Sequence, residues 1–398
     1  MRTGTKIVTT LSAAAACAAI AAGGAAPRLS AQASPAAAPP AAASPAAPPA
    51  QAWWRTAAAS ARPYRVDAEK LPLISVKGNR FVGPDGAPIL FRGIDISDPD
   101  KLAGQGHWNR DLFVAVKDLG ATLVRIPVHP IAWRTRTPDA YIALLDQAVA
   151  WSTELGMHVI IDWHTIGNLQ TGLFQDPMYD TSRQETYSFW RTMARHYAGH
   201  HTVAFFELFN EPTTYNGQLG SISWAQWSTI VREEIGIIRA YDPQVVPLVA
   251  GFDWAYDLTP LKLDPIPVDG IGYTIHPYSN KRSKPWEPKW EEDFGFAAAK
   301  YPLMATEFGG FAAPAVAGAP APTPAPAAPA GRGRGRGGFG PDPEYGPSII
   351  KYLESRNISW TLWCFDPEWG PSLLSNWTNF QLNASGQFAK LALAGGVK

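Results

Sequence analysis

Apolar and polar positions between residues 89 and 365 fall into a unit that repeats. Short runs rich in Val, Ile and Phe recur as ILFRGIDI (89–96), ATLVRIPV (121–128), HVIIDWH (158–164) and VAFFELFNEP (203–212). The series continues with VVPLVAG (245–251), GIGYTIHPY (270–278), PLMATEFG (302–309) and SWTLWCF (359–365). Runs of this length read as buried strands. Between most of them the period lengthens. Leu112, Phe113, Val116 and Leu119 keep one face ahead of Gly120, and Ile142, Leu145, Val149 and Leu155 do so ahead of Gly156. That is the spacing of amphipathic helices, with each glycine where a helix C-cap belongs. Eight strands alternating with helices over roughly 300 residues predict a (β/α)₈ barrel. An open doubly wound sheet is the alternative, but no Gly-rich phosphate loop follows the first strand. The chemically interesting residues also fall at the ends of many different strands, which a barrel gathers around one mouth.

Three segments stand outside this rhythm. ISVKGNRFVGPDGAPILFRGI (74–94) predicts a short hairpin, turning at Pro84-Asp85-Gly86 and feeding the first strand. The N-terminus reads as an export signal: Arg2 and Lys6 precede the Ala-rich apolar stretch 7–22, and small residues near Ala26 or Ala31-Gln32-Ala33 suit cleavage. The predicted signal spans 1–33, too weakly hydrophobic for a membrane span. Ala14, three positions before Cys17, disfavours a lipoprotein. Residues 34–66 are dominated by Ala, Pro and Ser and predict a disordered linker to a catalytic domain over 67–398. Within that domain, PAVAGAPAPTPAPAAPAGRGRGRGG (314–338) predicts a disordered insert after the seventh strand, a solvated spacer despite Arg332, Arg334 and Arg336. Cys364 would be the one cysteine left after signal removal, so no intramolecular disulfide is expected and a large core must hold the fold.

Charge excludes little and composition adds one hint. The 398 residues carry 34 Lys plus Arg and 34 Asp plus Glu, so nothing electrostatic points to nucleic acid or an anionic membrane. Sixteen Trp and thirteen Tyr are more than a core alone usually needs, and flat amphipathic rings are what stacks on sugar faces.

Two carboxyls stand at strand ends: Glu211 in Phe-Asn-Glu-Pro and Glu307 in Ala-Thr-Glu-Phe-Gly. Glycoside hydrolysis needs such a pair, one protonated and one ionised, flanking the scissile bond. Either alone reads as a surface carboxylate; both together, with Arg and His at other strand ends, do not. Pro212 ends its strand and leaves Glu211 at the rim. Asn210 and Glu211 are adjacent and cannot both face inward on a regular strand, so a distortion is expected there.

With these motifs in order, the chain resembles glycoside hydrolase family 5, over about residues 70–311 and 343–395. The resemblance implies that Glu211 is the general acid/base and Glu307 the nucleophile of a retaining enzyme. The family's strand-two arginine matches Arg125 in LVRIPV, and its strand-three histidine matches His164 in IIDWH. Asn210 belongs to the Asn-Glu-Pro element, His276 and Tyr278 match its strand-six His-x-Tyr, and Trp363 matches its strand-eight tryptophan. Arg125 and Tyr278 suit an ionised Glu307, Asn210 suits a sugar 2-hydroxyl, and Trp363 offers a stacking floor. Trp369 and His129 are further candidates for substrate contact, with Trp163, Trp254 and Tyr215 as weaker sugar platforms. Asp162 and Glu207 lie within strands and suit an internal polar network. His196, His200 and His201 look like a metal cluster but fall at a helix end on the opposite face, so no metal site is expected.

The resemblance implies an endo-β-1,4-glucanase acting on a β-linked polysaccharide or oligosaccharide; the export signal predicts a secreted or periplasmic location, and a monomer without a cofactor is expected. Mannan, mixed-linkage glucan and xyloglucan stay open as substrates. A noncatalytic glycan-binding barrel would require loss of one of the two glutamates, and a transglycosylase would use the same intermediate.

Overall fold

Eight parallel strands close into a barrel: β1 (Arg92–Asp95), β2 (Leu123–Val128), β3 (His158–Trp163), β4 (Val203–Glu207), β5 (Val246–Ala250), β6 (Gly272–Ile275), β7 (Leu303–Ala305) and β8 (Ser359–Leu362), with β8 paired back to β1. The structure, a computed structural model, describes residues 62–65, 68–311 and 342–397. The predicted export signal, the 34–66 linker apart from residues 62–65, and the 314–338 insert lie outside the described residues. Each of the eight apolar runs contains one barrel strand. The two predicted helices occupy Arg110–Asp118 and Pro138–Leu155, and Gly156 caps the second in the left-handed region.

Alternation along the strands sorts side chains into two layers. Leu123, Ile160, Phe205, Leu248 and Met304 form one buried cluster; their neighbours Val124, Ile161, Phe206, Val249 and Ala305 belong to the other, shared with the helices. Two residues further along the inward-facing set come Arg125, Asp162 and Glu207, all fully buried. The period of two that builds the apolar floor therefore also aims three charged groups into the barrel directly above it.

The opposite end is closed by an antiparallel hairpin, Ser75–Lys77 with Arg80–Val82, whose Phe81 ring meets Phe91 and Phe205. Its turn is at Gly78-Asn79, not at Pro84-Asp85-Gly86 as the sequence suggested. Gly78 has φ 59°, and glycine at the first central position is what a two-residue hairpin loop of this hand favours. Pro84-Asp85-Gly86 makes the next turn, closed by Gly86 N–H to the Gly83 carbonyl, which returns the chain to a bridge between Val82 and Pro88.

The three histidines on this side hold the chain's own N-terminal segment. His196 meets Asp146 at 2.7 Å, His200 meets Glu69 at 3.1 Å, and His201 Nδ1 lies 3.0 Å from the Leu71 carbonyl. Tyr64, inside the predicted linker, stacks on His200 at 4.9 Å and donates its N–H to the His196 carbonyl. An aromatic ring with histidine partners gives this end of the linker a docking site that its Ala/Pro composition did not suggest.

One helix carries a defect. Trp224–Arg239 starts with a Ser223/Gln226 capping box and buries Trp227, Ile230, Val231, Ile235 and Ile238. Glu234 lies on the same buried face, and neither of its carboxyl oxygens has a hydrogen-bond partner among the described residues. Burial pushes this carboxyl well up, against a weaker pull from Arg183. The unfolded chain therefore releases this proton first as pH rises, so stability falls above the ordinary glutamate range of about 4.3. Glu234→Met is expected to stabilise the fold by about 1–3 kcal/mol at pH 8 and by less at pH 5. Urea unfolding at the two pH values checks this; a variant that is less stable at pH 8 would mean that the carboxyl is satisfied.

Candidate active site

Arg125 organises the floor of the barrel mouth. Its Nε donates to Glu207 at 2.6 Å, and Nη2 donates to Asn210 at 2.7 Å and meets Asp162 at 3.0 Å. Nη1 reaches Glu307 at 3.3 Å and lies 3.8 Å from Asp95. Burial opposes the charge on this guanidinium, but the surrounding carboxylates outweigh it and hold the group firmly protonated. Glu207 is buried too, yet Arg125 and His276 pull its carboxyl down to about 2. Asp162 and Glu207 thus form the internal network expected of them. Asp95 is pushed well up by burial, against the pull of Arg125.

The two candidate carboxyls sit beyond the ends of the ladder. Glu307 follows β7 at 6% exposure, taking the Tyr278 hydroxyl at 2.7 Å on one oxygen and Arg125 on the other. Glu211 is 1% exposed, and its Oε1 lies 3.1 Å from His276 Nδ1. One oxygen of Glu211, one of Glu307 and a ring nitrogen of His276 all lie within 4.8 Å of one another. Among the described residues this is the one group of three such side chains close enough to hold a metal ion, and each of its members has hydrogen-bond partners within the protein.

His276 links the two sides. Burial alone would lower its pKa, but the charge of Glu307 and hydrogen bonds to Glu207 and Glu211 raise it to about 9. Its Nε2 lies 3.2 Å from Thr306 Oγ1, which donates to Glu207 at 2.7 Å. The His276 ring therefore keeps its proton through neutral pH, with Nδ1 against Glu211. His164 behaves oppositely: burial and the nearby His129 push it well down. A neutral ring whose Nδ1 lies 2.6 Å from Asp162 donates there and leaves Nε2 as an acceptor.

Aromatic rings line one side of the mouth. Trp363 lies parallel to His164 at 5.3 Å and to Trp369 at 5.9 Å, and His129 meets Trp369 at 5.1 Å and His164 at 4.5 Å. His129 is fixed by Asp98, which accepts its backbone N–H at 2.8 Å and contacts Nδ1 at 3.0 Å. On the other side Trp254 donates to Gln175 at 2.7 Å and meets Tyr215 edge-on at 5.5 Å. These two rings line a cleft of about 280 Å³ with Thr213 and Phe252.

The structure thus gathers Arg125, His164, Asn210, Glu211, His276, Tyr278, Glu307, Trp363, Trp369 and His129 into connected networks. It removes one weaker candidate. Trp163 is fully buried, stacks on Phe189 at 4.2 Å and donates to Thr186, so it is core and presents no face to a sugar. Its place one residue before His164 on a strand turns it outward, toward the helices. Asp98, Thr306 and Tyr179 were missed. Asp98 had a local signal, since Asp-Pro opens the helix Pro99–Gly104 with Asp98 as its N-cap. Thr306, and Tyr179, whose ring lies 5.7 Å from His129 and 6.2 Å from His164, had none, because their relevance comes from contacts made across the sequence.

The model of the cellulase family, glycosyl hydrolase family 5, matches residues 82–368. A β-glucanase from Saccharophagus degradans, solved in its native form, aligns at 40% identity over 84% of this chain and 98% of its own, with a TM-score of 0.74. Its structure in complex with cellotetraose aligns at 38% identity over 87% of this chain and 100% of that one. An endoglucanase of Clostridium saccharobutylicum is 24% identical over 333 residues, which span 81% of this chain and 65% of that relative.

Proposed function

Because the chain belongs to the cellulases of glycosyl hydrolase family 5 and carries their glycoside-hydrolase barrel, we propose that it is a retaining endo-β-1,4-glucanase acting through Glu307 as nucleophile and Glu211 as acid/base. The observation that carries this reading is the approach of the two carboxyls to within 4.8 Å. Retaining pairs stand about 5–5.5 Å apart; inverting pairs need about 6.5–9.5 Å to admit a water. The second support is the asymmetry of their partners. Glu307 takes the Arg125 guanidinium and the Tyr278 hydroxyl on its two oxygens, whereas Glu211 faces the His276 ring across the mouth.

In the first step Glu307 attacks the anomeric carbon as the bond to the leaving oxygen breaks, and Glu211 passes a proton to that oxygen. The product is a glycosyl ester on Glu307 and an ionised Glu211. Water then gives its proton to Glu211 and its oxygen to the anomeric carbon, freeing Glu307. Asn210, held by Arg125, is placed for the 2-hydroxyl, and Trp363 for the ring of the reacting sugar. The assignment to β-1,4-glucan rests on the endoglucanase and β-glucanase relatives and on the cellotetraose held by one of them. We read residues 1–33 as an export signal and 34–66 as a tether; among the described residues no helix is long and apolar enough to cross a membrane.

Purified protein on carboxymethyl cellulose, mixed-linkage β-glucan, mannan and xyloglucan tests the substrate. Reducing ends should appear fastest on a β-1,4-linked glucan, with an early fall in viscosity. Turnover confined to mannan or xyloglucan would keep the mechanism and overturn the substrate.

A further inference from the structure

Strand β4 stops at Glu207, so the barrel ladder does not position Glu211. A separate three-stranded sheet on the catalytic face does. Glu211–Pro212 pairs in parallel with Ile166–Asn168, the stretch that follows β3, and this pairs antiparallel with Leu173–Phe174. The backbone bonds flank the carboxyl: Glu211 N–H donates to the Thr165 carbonyl and Thr213 N–H to the Gly167 carbonyl, both at 3.0 Å.

The hairpin also grips the loop that follows Glu211. Asn168 is 1% exposed, and its side chain does two things at once. Its Oδ1 accepts from the N–H groups of Gln170 and Thr171, shaping the turn, while Nδ2 donates to the Leu219 carbonyl at 3.1 Å. Thr171 Oγ1 donates to the same carbonyl at 2.6 Å. Glu211 and the chain that follows it, at Thr213 and Leu219, are therefore tied to the hairpin and the residue before it, and among the described residues no hydrogen bond of Asn168 or Thr171 runs to the ten site residues gathered at the mouth.

We infer that the hairpin at residues 166–174 is the device that aims Glu211, with Asn168 and Thr171 as positioning residues for its proton transfers. This rests on Glu211 being the acid/base. The physical need is clear, because a catalytic group displaced by about 1 Å can lose about 100-fold in rate. Loosening the hairpin shifts Glu211 but leaves Glu307, which is held by Arg125 and Tyr278 from other strands. The deficit should therefore follow how much the leaving group needs a proton.

The test compares Asn168→Ala and Thr171→Val with wild type on a cello-oligosaccharide and on 2,4-dinitrophenyl β-cellobioside, reading first-turnover dinitrophenol release for the latter. Asn168→Ala should lose about 10- to 100-fold in kcat/KM on the oligosaccharide, with the dinitrophenyl step within about twofold of wild type. Thr171→Val, at an exposed residue, should lose about threefold with the same contrast and an unchanged Tm; it carries the test should Asn168→Ala fail to fold. Equal losses on both substrates, or no loss on either, would overturn the inference. Glu211→Ala is run alongside. If it lacks the leaving-group contrast, the acid/base assignment itself fails; if it shows the contrast and the hairpin variants do not, only the hairpin's role fails.

Discussion

Glu307→Ala should lose at least about four orders of magnitude in kcat, on cellulosic substrates and activated aryl glycosides alike. No leaving group is good enough to replace a missing nucleophile, so the contrast between substrates should vanish. The protein should nevertheless stay folded. Arg125 keeps Glu207, Asn210 and Asp162 when Glu307 is gone, so its charge is not left unpaired. Azide can enter the space the carboxylate vacates and attack from the same face while Glu211 still protonates the leaving oxygen. With a β-glycoside the adduct should be the α-glycosyl azide, the inverted product. Circular dichroism and a thermal melt separate this from unfolding, and activity above about a tenth of wild type would rule Glu307 out as nucleophile.

Glu211→Ala should fail differently. Cellulosic substrates need protonation of a poor leaving group, and their turnover should fall about 10²- to 10⁴-fold. Activated aryl glycosides should still form the intermediate and then stall, because the same residue must accept a proton from water in the second step. The signature is a burst of phenol followed by a slow steady state. Azide needs no base, so it should lift the slow phase and yield the β-glycosyl azide. The opposite anomers from the two variants assign the roles independently of any rate.

Much of this site was legible in the sequence because barrel strands converge on one mouth. Once the eight apolar runs were in phase, LVRIPV, IIDWH, FNEP, IHPY, ATEF and TLW each delivered a side chain to the same end. Period-two alternation also set Arg125, Asp162 and Glu207 facing inward. What escaped was of two kinds. Ile166–Asn168 and Leu173–Phe174 are too short to show a period, and their pairing with Glu211–Pro212 joins residues far apart in the chain. The distortion expected at Asn210-Glu211 was therefore visible as a need, but the sheet that supplies it was not. The other failures were choices between equal local signals. Gly78-Asn79 and Pro84-Asp85-Gly86 are both turn sequences, and pairing of Val76 with Phe81 decided between them. Trp163 and Trp363 both stand at strand ends; position relative to the alternation sends the first outward to Phe189 and the second into the mouth.

The central claim is that two carboxyls this close act by double displacement, and the anomer released first tests it most directly. Proton NMR during hydrolysis of a cello-oligosaccharide resolves the newly formed hemiacetal before mutarotation mixes the forms. Two inversions restore the starting configuration, so the β-anomer should appear first and decay toward the equilibrium mixture. First appearance of the α-anomer would mean a single displacement by water, and Glu307 could then not be the nucleophile.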